Sequence, residues 1–186
     1  MPRSSLALRR TLAALALLAL AATGHGAAQG SATPQPIEPS WLKVDSAKKT
    51  ATFQLTAGLT GLNGALNFNG FRDGGLTLTV PRGWTVVIHF INRDGMLPHS
   101  AEVIADSRPL PTAPVSAAFD RAFTLRLSEG LPPQGEDGLR FIADKGGSYL
   151  IFCGVPGHGA AGMWIRLRVS GSVRQPALAA TRAGRS

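Results

Sequence analysis

Short runs that alternate polar and apolar residues, each stopped by glycine or proline, leave this chain few folds to choose from. Thr50 to Thr56 sets Thr, Thr, Gln and Thr against Ala, Phe and Leu. Leu76 to Val80 alternates Leu, Leu and Val with two Thr and stops at Pro81-Arg82-Gly83. Trp84 to Phe90 is dense in β-branched and aromatic residues, and Ala122 to Leu127 alternates as a two-sided strand. A period of two puts one set of side chains on each face of a strand, and branched or aromatic side chains suit that pleated surface. Ser100 to Ile104, Ser148 to Phe152 and Met163 to Val169 give further short strands, while Leu131 to Gly138 reads as a polar connection. No segment keeps a helical period for three turns. The 22 Gly and 13 Pro fit tight turns between strands. About eight strands at this spacing predict an all-β Greek-key β-sandwich or barrel.

A length of 186 residues suits one ordinary domain, and a hydrophobic fraction of 44% is enough for its core. A single cysteine permits no internal disulfide, so the domain must hold together by packing. The N-terminal segment reads as a secretory signal peptide. Arg3, Arg9 and Arg10 make a basic start, and Leu12 to Ala22 is an unbroken apolar run, short for a membrane span. Ala22-Thr23-Gly24 and Gly26-Ala27-Ala28 offer cleavage sites, and Arg9-Arg10 is compatible with twin-arginine export. With no cysteine in this region, attachment of a lipid through cysteine is excluded. The expected organisation is a signal peptide over 1–28, a Pro-rich lead-in over 29–40, a domain over 41–170 and a basic flexible tail over 171–186. Export places the mature chain in the periplasm or on the extracytoplasmic face.

Loss of the signal leaves 16 Lys and Arg against 11 acidic residues, a net charge of +5. Arg174, Arg182 and Arg185 contribute from the tail. This modest excess suits an acidic partner or peripheral contact with a membrane. The clustered cations and interleaved aromatics of a nucleic-acid face are missing, so no nucleic acid is expected.

The segment most informative about chemistry is Cys153-Gly-Val-Pro-Gly-His158-Gly-Ala-Ala-Gly-Met163, between two expected strands. Three soft or borderline metal ligands are each separated from the next by four residues. Four glycines let the loop curl, and Pro156 stiffens it. A thiolate, imidazole nitrogens and a weak thioether make the two-His, one-Cys, axial-Met set of a blue-copper site. The second imidazole comes from His99, at the start of the strand after Trp84 to Asn92. A Greek-key sandwich can bring that strand end beside the loop. The metal ligands expected are therefore His99, Cys153, His158 and Met163. Ser100 and Asn92 are the expected supports of these ligands through hydrogen bonds, with ordinary turn chemistry as the alternative role. His89 lies mid-strand away from the loops, and His25 leaves with the signal.

Met96-Leu-Pro-His99-Ser100 and the Cys153 to Met163 loop resemble the copper-binding motifs of the cupredoxins. The Cys-x4-His-x4-Met spacing is longer than in plastocyanin and similar to rusticyanin and sulfocyanin. Leu66-Asn-Phe-Asn-Gly70 and Pro81-Arg-Gly-Trp point to sulfocyanin within that group. The resemblance covers residues 62 to 169. It implies a cupredoxin sandwich with one type 1 copper, shuttling single electrons between respiratory proteins. Redox partners of cytochrome or terminal oxidase type would dock near His158 on a monomer.

Other chemistries lack parts. A dinuclear electron-transfer copper centre needs two cysteines, and a multicopper oxidase or copper nitrite reductase needs more histidines than the mature chain holds. Four protein ligands leave no open coordination position, which argues for a carrier and against an enzyme. Hydrolytic zinc chemistry is disfavoured by the methionine and by the lack of a paired carboxylate near the ligands. The alternative from a different class is a copper carrier or scavenger without a redox role.

Overall fold

A computed structural model describes residues 35–181. The expected signal peptide, the start of the Pro-rich lead-in and the last five residues of the tail lie outside this range. A short 3-10 turn, Pro39–Trp41, is followed by nine strands: β1 Leu42–Asp45, β2 Thr50–Ala57, β3 Leu76–Pro81, β4 Thr85–Asn92, β5 Glu102–Ala105, β6 Glu136–Ile142, β7 Gly147–Phe152, β8 Trp164–Ser170 and β9 Ala177–Ala180. They form two sheets, ordered β1-β2-β4-β6 and β5-β7-β8-β3-β9. β2 pairs with β4, and β3 with β8, in parallel; every other neighbour is antiparallel. The sheets stay separate, so of the sandwich and barrel expected, the sandwich is correct.

Alternation along the strands explains the two layers. Phe53 and Leu55 on β2, Val86, Ile88 and Phe90 on β4, and Leu139 and Phe141 on β6 all point inward and are buried. Leu76, Leu78 and Val80 on β3, with Ile165, Leu167 and Val169 on β8, meet them from the second sheet in one cluster. Burial of each large apolar side chain contributes about 1.5–3 kcal/mol. This packing must hold the domain, because the single cysteine is a free buried thiol. A satellite cluster of Ile104, Leu150, Phe152 and Trp164 lies apart from this core, with Leu110 against it.

The order of the strands positions the functional end. β4 leaves the first sheet at Asn92, and the chain arches across to begin β5 in the second. Glu102, at the start of β5, is opposite Phe152, at the end of β7, and Phe152 is also opposite Trp164, at the start of β8. The arch before β5 and the loop between β7 and β8 therefore share one end of the sandwich.

Three expectations need correction. Ala122 to Leu127 is not a strand: it follows β5 with an isolated bridge between Glu102 and Phe123. Arg121 and Arg126 take positive φ values of 53° and 55°, which end any extension. Its polarity is also inverted, because Thr124 is buried while Leu125 is 69% exposed. The Thr124 hydroxyl accepts the Ala101 N–H at 3.0 Å, which makes the inward position a polar one. Second, part of the segment read as a polar connection belongs to β6, an edge strand whose outer row is Glu136, Gly138 and Arg140. The nine strands among the described residues, short β1 against β2 included, agree with the expectation of about eight. Third, the tail is not wholly flexible. Ala177–Ala180 pairs with β3, Leu178 packs against the core, and the Thr77 and Thr181 hydroxyls lie 3.0 Å apart. Small residues carry little strand signal, but they fit flat on an exposed edge.

Truncation after Arg174 should therefore lower stability on the order of 2 kcal/mol, through lost ladder bonds and exposure of β3. Chemical denaturation of the two chains measures this, and an unchanged midpoint would mean that β9 contributes nothing.

Candidate metal centre

His99 lies on the arch that leads into β5. Its backbone exchanges hydrogen bonds with Leu131, N–H to O at 3.1 Å and O from N–H at 2.7 Å. Gly130 passes so close that a Cβ there would meet the His99 nitrogen at 2.8 Å. The arch is organised by Asn92, whose Oδ1 accepts the Asp94 N–H at 2.9 Å. The Asn92 amide also donates to the Leu97 and Leu131 carbonyls, each at 2.9 Å. Asp94 Oδ1 accepts the N–H groups of Met96 and Leu97 at 2.9 and 3.1 Å. Its other oxygen lies 2.9 Å from His99 Nε2.

Cys153 follows β7 directly, and its N–H donates to the Met163 carbonyl at 3.1 Å. The Met163 N–H returns to the His158 carbonyl at 3.1 Å, and the His158 N–H donates to Val155. These bonds wind the loop back on itself between Cys153 and Met163. Gly159 lies against the Phe152 ring, where a Cβ would come within 2.0 Å, so no larger residue fits. Outside supports fix the loop further. Gly157 donates to Thr112 at 2.8 Å, Asn63 Nδ2 donates to Ala161 at 2.9 Å, and Asp73 N–H donates to Gly162 at 2.9 Å. The Asn67 and Asn69 side chains, fully buried, bond the backbone at Thr60, Leu62, Thr56 and Gln54. The Leu66 to Gly70 motif thus shapes the neighbouring loop that carries Asn63.

Ser100 joins the two segments. Its hydroxyl donates to the Leu127 carbonyl at 2.8 Å and accepts the Gly154 N–H at 3.1 Å. Asn92, by contrast, bonds within the arch and to Leu131 and does not touch the cysteine loop. Both residues expected as supports therefore hold the His99 side, and Ser100 alone of the two bridges to the cysteine side.

The result is a compact donor set. One donor atom each from His99, Cys153 and His158 lies within 4.8 Å of the others. The His99 and His158 Nδ1 atoms are 3.3 Å apart, and His158 Nδ1 is 3.8 Å from Cys153 Sγ. His99, Cys153 and Met163 are fully buried, while His158 is half-buried. His89 is exposed on β4 and takes no part.

The two imidazoles are held neutral and ready for a metal, whereas the thiol must lose a proton to bind one. Burial lowers the His99 pKa, against the raising effect of Asp94. Burial and the neighbouring His99 ring lower that of His158. Burial pushes the Cys153 thiol up to about 11, although hydrogen bonds from Ser100 and Val155 oppose the shift. A metal entering here displaces the thiol proton. A sulfur with two imidazole nitrogens fits a soft, redox-active ion such as copper.

Two carboxyl groups escaped the sequence reading. Asp94 is buried, and the signal for it was an Asx turn of the Asn-Arg-Asp-Gly kind five residues before a ligand histidine. Glu102 is wholly buried at the start of β5; Oε1 faces the Val115 N–H at 3.4 Å, and Oε2 lacks a partner among the described residues. It sat inside an apparently ordinary strand, so no local pattern marked it.

The sulfocyanin (SoxE) domain family matches residues 38–130 and 133–180. A sulfocyanin from Sulfolobus acidocaldarius is 33% identical over 121 residues, covering 59% of this chain and 58% of that protein. The chain thus spans less than two thirds of the length of this curated relative. Among solved structures, one of substituted rusticyanin superposes with a TM-score of 0.54 at 24% identity, covering 70% of this chain and 86% of the other. A second rusticyanin variant gives 0.52 at 24% identity, with 70% and 87% covered. These two establish likeness of fold.

Burial raises the Glu102 carboxyl from 4.5 to about 7. A pKa raised by folding means that stability falls as pH rises from the unfolded value through the folded one. In the metal-free protein, Glu102→Gln should match the parent below pH 4.5 and exceed it above pH 7. The gain should be on the order of 2 kcal/mol. Denaturant unfolding at both ends of that window checks it, and a gain equal at both ends would show that charge burial is not its cause.

Proposed function

We propose that this chain, which belongs to the sulfocyanin family of the cupredoxins, is an exported blue-copper protein that carries single electrons between redox partners. The observation that supports this most is the convergence of His99, Cys153 and His158 donor atoms within 4.8 Å at one end of the sandwich. His99, Cys153 and His158 would be the strong ligands in this reading, with Met163 as a weaker fourth donor. Copper supplies reversible one-electron chemistry between its divalent and monovalent states. The protein's part is to hold the four side chains nearly still through that change. The bonds from Ser100, Asn63, Thr112 and Asp73 suit that task, because each ties a ligand segment to a different element. With four protein ligands the chain is read as a carrier and not as an enzyme.

Exchange with a partner is best placed at the half-buried His158 ring, the most accessible of the three donors. Around it the chain supplies exposed, uncharged surface: Gly157, Ala160 and Ala161 on its own loop. Met96, 85% exposed, and Leu97, 36% exposed, come from the arch. A small apolar contact forms and releases quickly, as a shuttle between respiratory proteins requires. The partners envisaged are of cytochrome or terminal oxidase type. A signal peptide over 1–28 and a domain that runs from Trp41 through β9 complete the reading, with the mature chain in the periplasm or on the extracytoplasmic face.

The visible spectrum of the copper-loaded protein tests the proposal. An intense band near about 600 nm, from the cysteine thiolate to copper(II), should bleach with ascorbate and return with ferricyanide. A colourless protein that holds copper(I) and resists oxidation would favour the copper-carrier alternative. Ala160→Glu should leave that band intact and slow electron transfer to a partner about tenfold, by charging the docking face. Stopped-flow transfer rates measure this, and an unchanged rate would move the docking site elsewhere.

A further inference from the structure

Asp94 carries a buried charge with no role in the reading so far. It is 7% exposed, and its surroundings leave it little freedom. Gly58, at φ 63°, packs so closely on it that a Cβ there would approach Asp94 Cβ at 2.7 Å. Both carboxylate oxygens are engaged. Oδ1 accepts two backbone N–H groups, those of Met96 and Leu97. Oδ2 faces His99 Nε2 at 2.9 Å. The hydrogen bonds from His99, Met96 and Leu97 hold its carboxyl below the ordinary range, although burial alone would raise it.

With Oδ1 taken by two backbone N–H donors, the carboxylate presents Oδ2 to the ring as an acceptor, so the nitrogen facing it carries the proton. That makes His99 the Nε2–H tautomer and leaves the Nδ1 lone pair free. Nδ1 is the atom 3.3 Å from His158 Nδ1, on the side of the thiol. We infer that Asp94 is a positioning residue that presets His99 for the metal and, through its charge, biases the site toward the divalent state. This rests on the copper reading above. A carboxylate is needed here because both of its oxygens meet donors. An asparagine has one acceptor oxygen and one amide nitrogen. Its nitrogen would face either the Met96 and Leu97 N–H groups, which cannot accept, or His99 Nε2, where it would favour the wrong tautomer. It would also remove the negative charge.

The test uses the purified protein and its Asp94→Asn variant, first without metal and then with copper. In the metal-free wild type, long-range 15N–1H correlation should show His99 protonated at Nε2; protonation at Nδ1 overturns the inference and needs no variant. Asp94→Asn should shift His99 toward Nδ1–H and weaken copper binding about 10–100-fold. Poised against the same redox buffer, the copper-loaded variant should hold about tenfold more copper(I) relative to copper(II) than the wild type. Equal ratios in two proteins with intact visible bands would overturn the charge role, even if affinity fell. If the wild type develops no thiolate-to-copper band, the copper reading fails and the charge role falls with it. The tautomer spectrum then decides the positioning role alone.

Discussion

The position of β7 between β5 and β8 is the constraint on which the site depends. β7 pairs Phe152 with Glu102 on one side and with Trp164 on the other. The next residue after Phe152 is the thiol. That register places the end of the β4–β5 arch and the start of β8 at the same level, so the arch and the β7–β8 loop meet at one end of the sandwich. A slip of one residue would send every alternate side chain to the opposite face. Ile151 would leave the core, and Cys153 would no longer face His99. The register is therefore enforced by the whole apolar core, whose burial energy far exceeds that of any loop hydrogen bond.

Polar burial follows from this arrangement. The buried polar residues are Thr56, Asn67, Asn69, Asn92, Asp94, His99, Ser100, Glu102 and Thr124. All belong to the arch, to the loops beside it or to strand ends that meet them, and the strand interiors are apolar. A polar group out of water is costly unless it is bonded. Here nearly every one is spent on fixing backbone: Asn69 on Thr56 and Gln54, Asn92 on Leu97 and Leu131, Ser100 on Leu127 and Gly154. The sheets give the end its stability, and the buried side chains give it its shape.

This division explains what the sequence made legible. The strands β2, β3, β4 and β8 were readable because their alternation mirrors burial in a two-layer sandwich. The histidine, cysteine and loop histidine that the structure brings together were readable because their chemistry is rare and their spacing specific. β6 and β9 were hidden by edge position, where an outer row of polar or small residues carries no contrast. Ala122 to Leu127 misled for the opposite reason: its alternation is real, but Thr124 is the inward residue and two positive φ values break the strand. Glu102 was out of reach because nothing local distinguishes a buried carboxylate from a surface one, and only the Asn-Arg-Asp-Gly turn before the histidine marks Asp94. Only the arch folding back over Gly58, and β5 lying under the cysteine loop, bury them.

The two carboxyls also differ in what burial does to them, and the difference follows from their partners. Asp94 receives donors on both oxygens and stays ionised, held below its ordinary range mainly by His99 against the opposing effect of burial. Glu102 has one distant donor and an unpartnered oxygen, so burial dominates and its carboxyl rises to about 7. A group so poorly satisfied avoids its desolvation penalty by keeping its proton. The end of the sandwich thus holds one firm negative charge, behind a ligand imidazole, while its second carboxyl stays neutral below about pH 7. In a site that must accept an electron and give it up again, fixed charge sets the preferred oxidation state, and a neutral neighbour leaves that setting undisturbed.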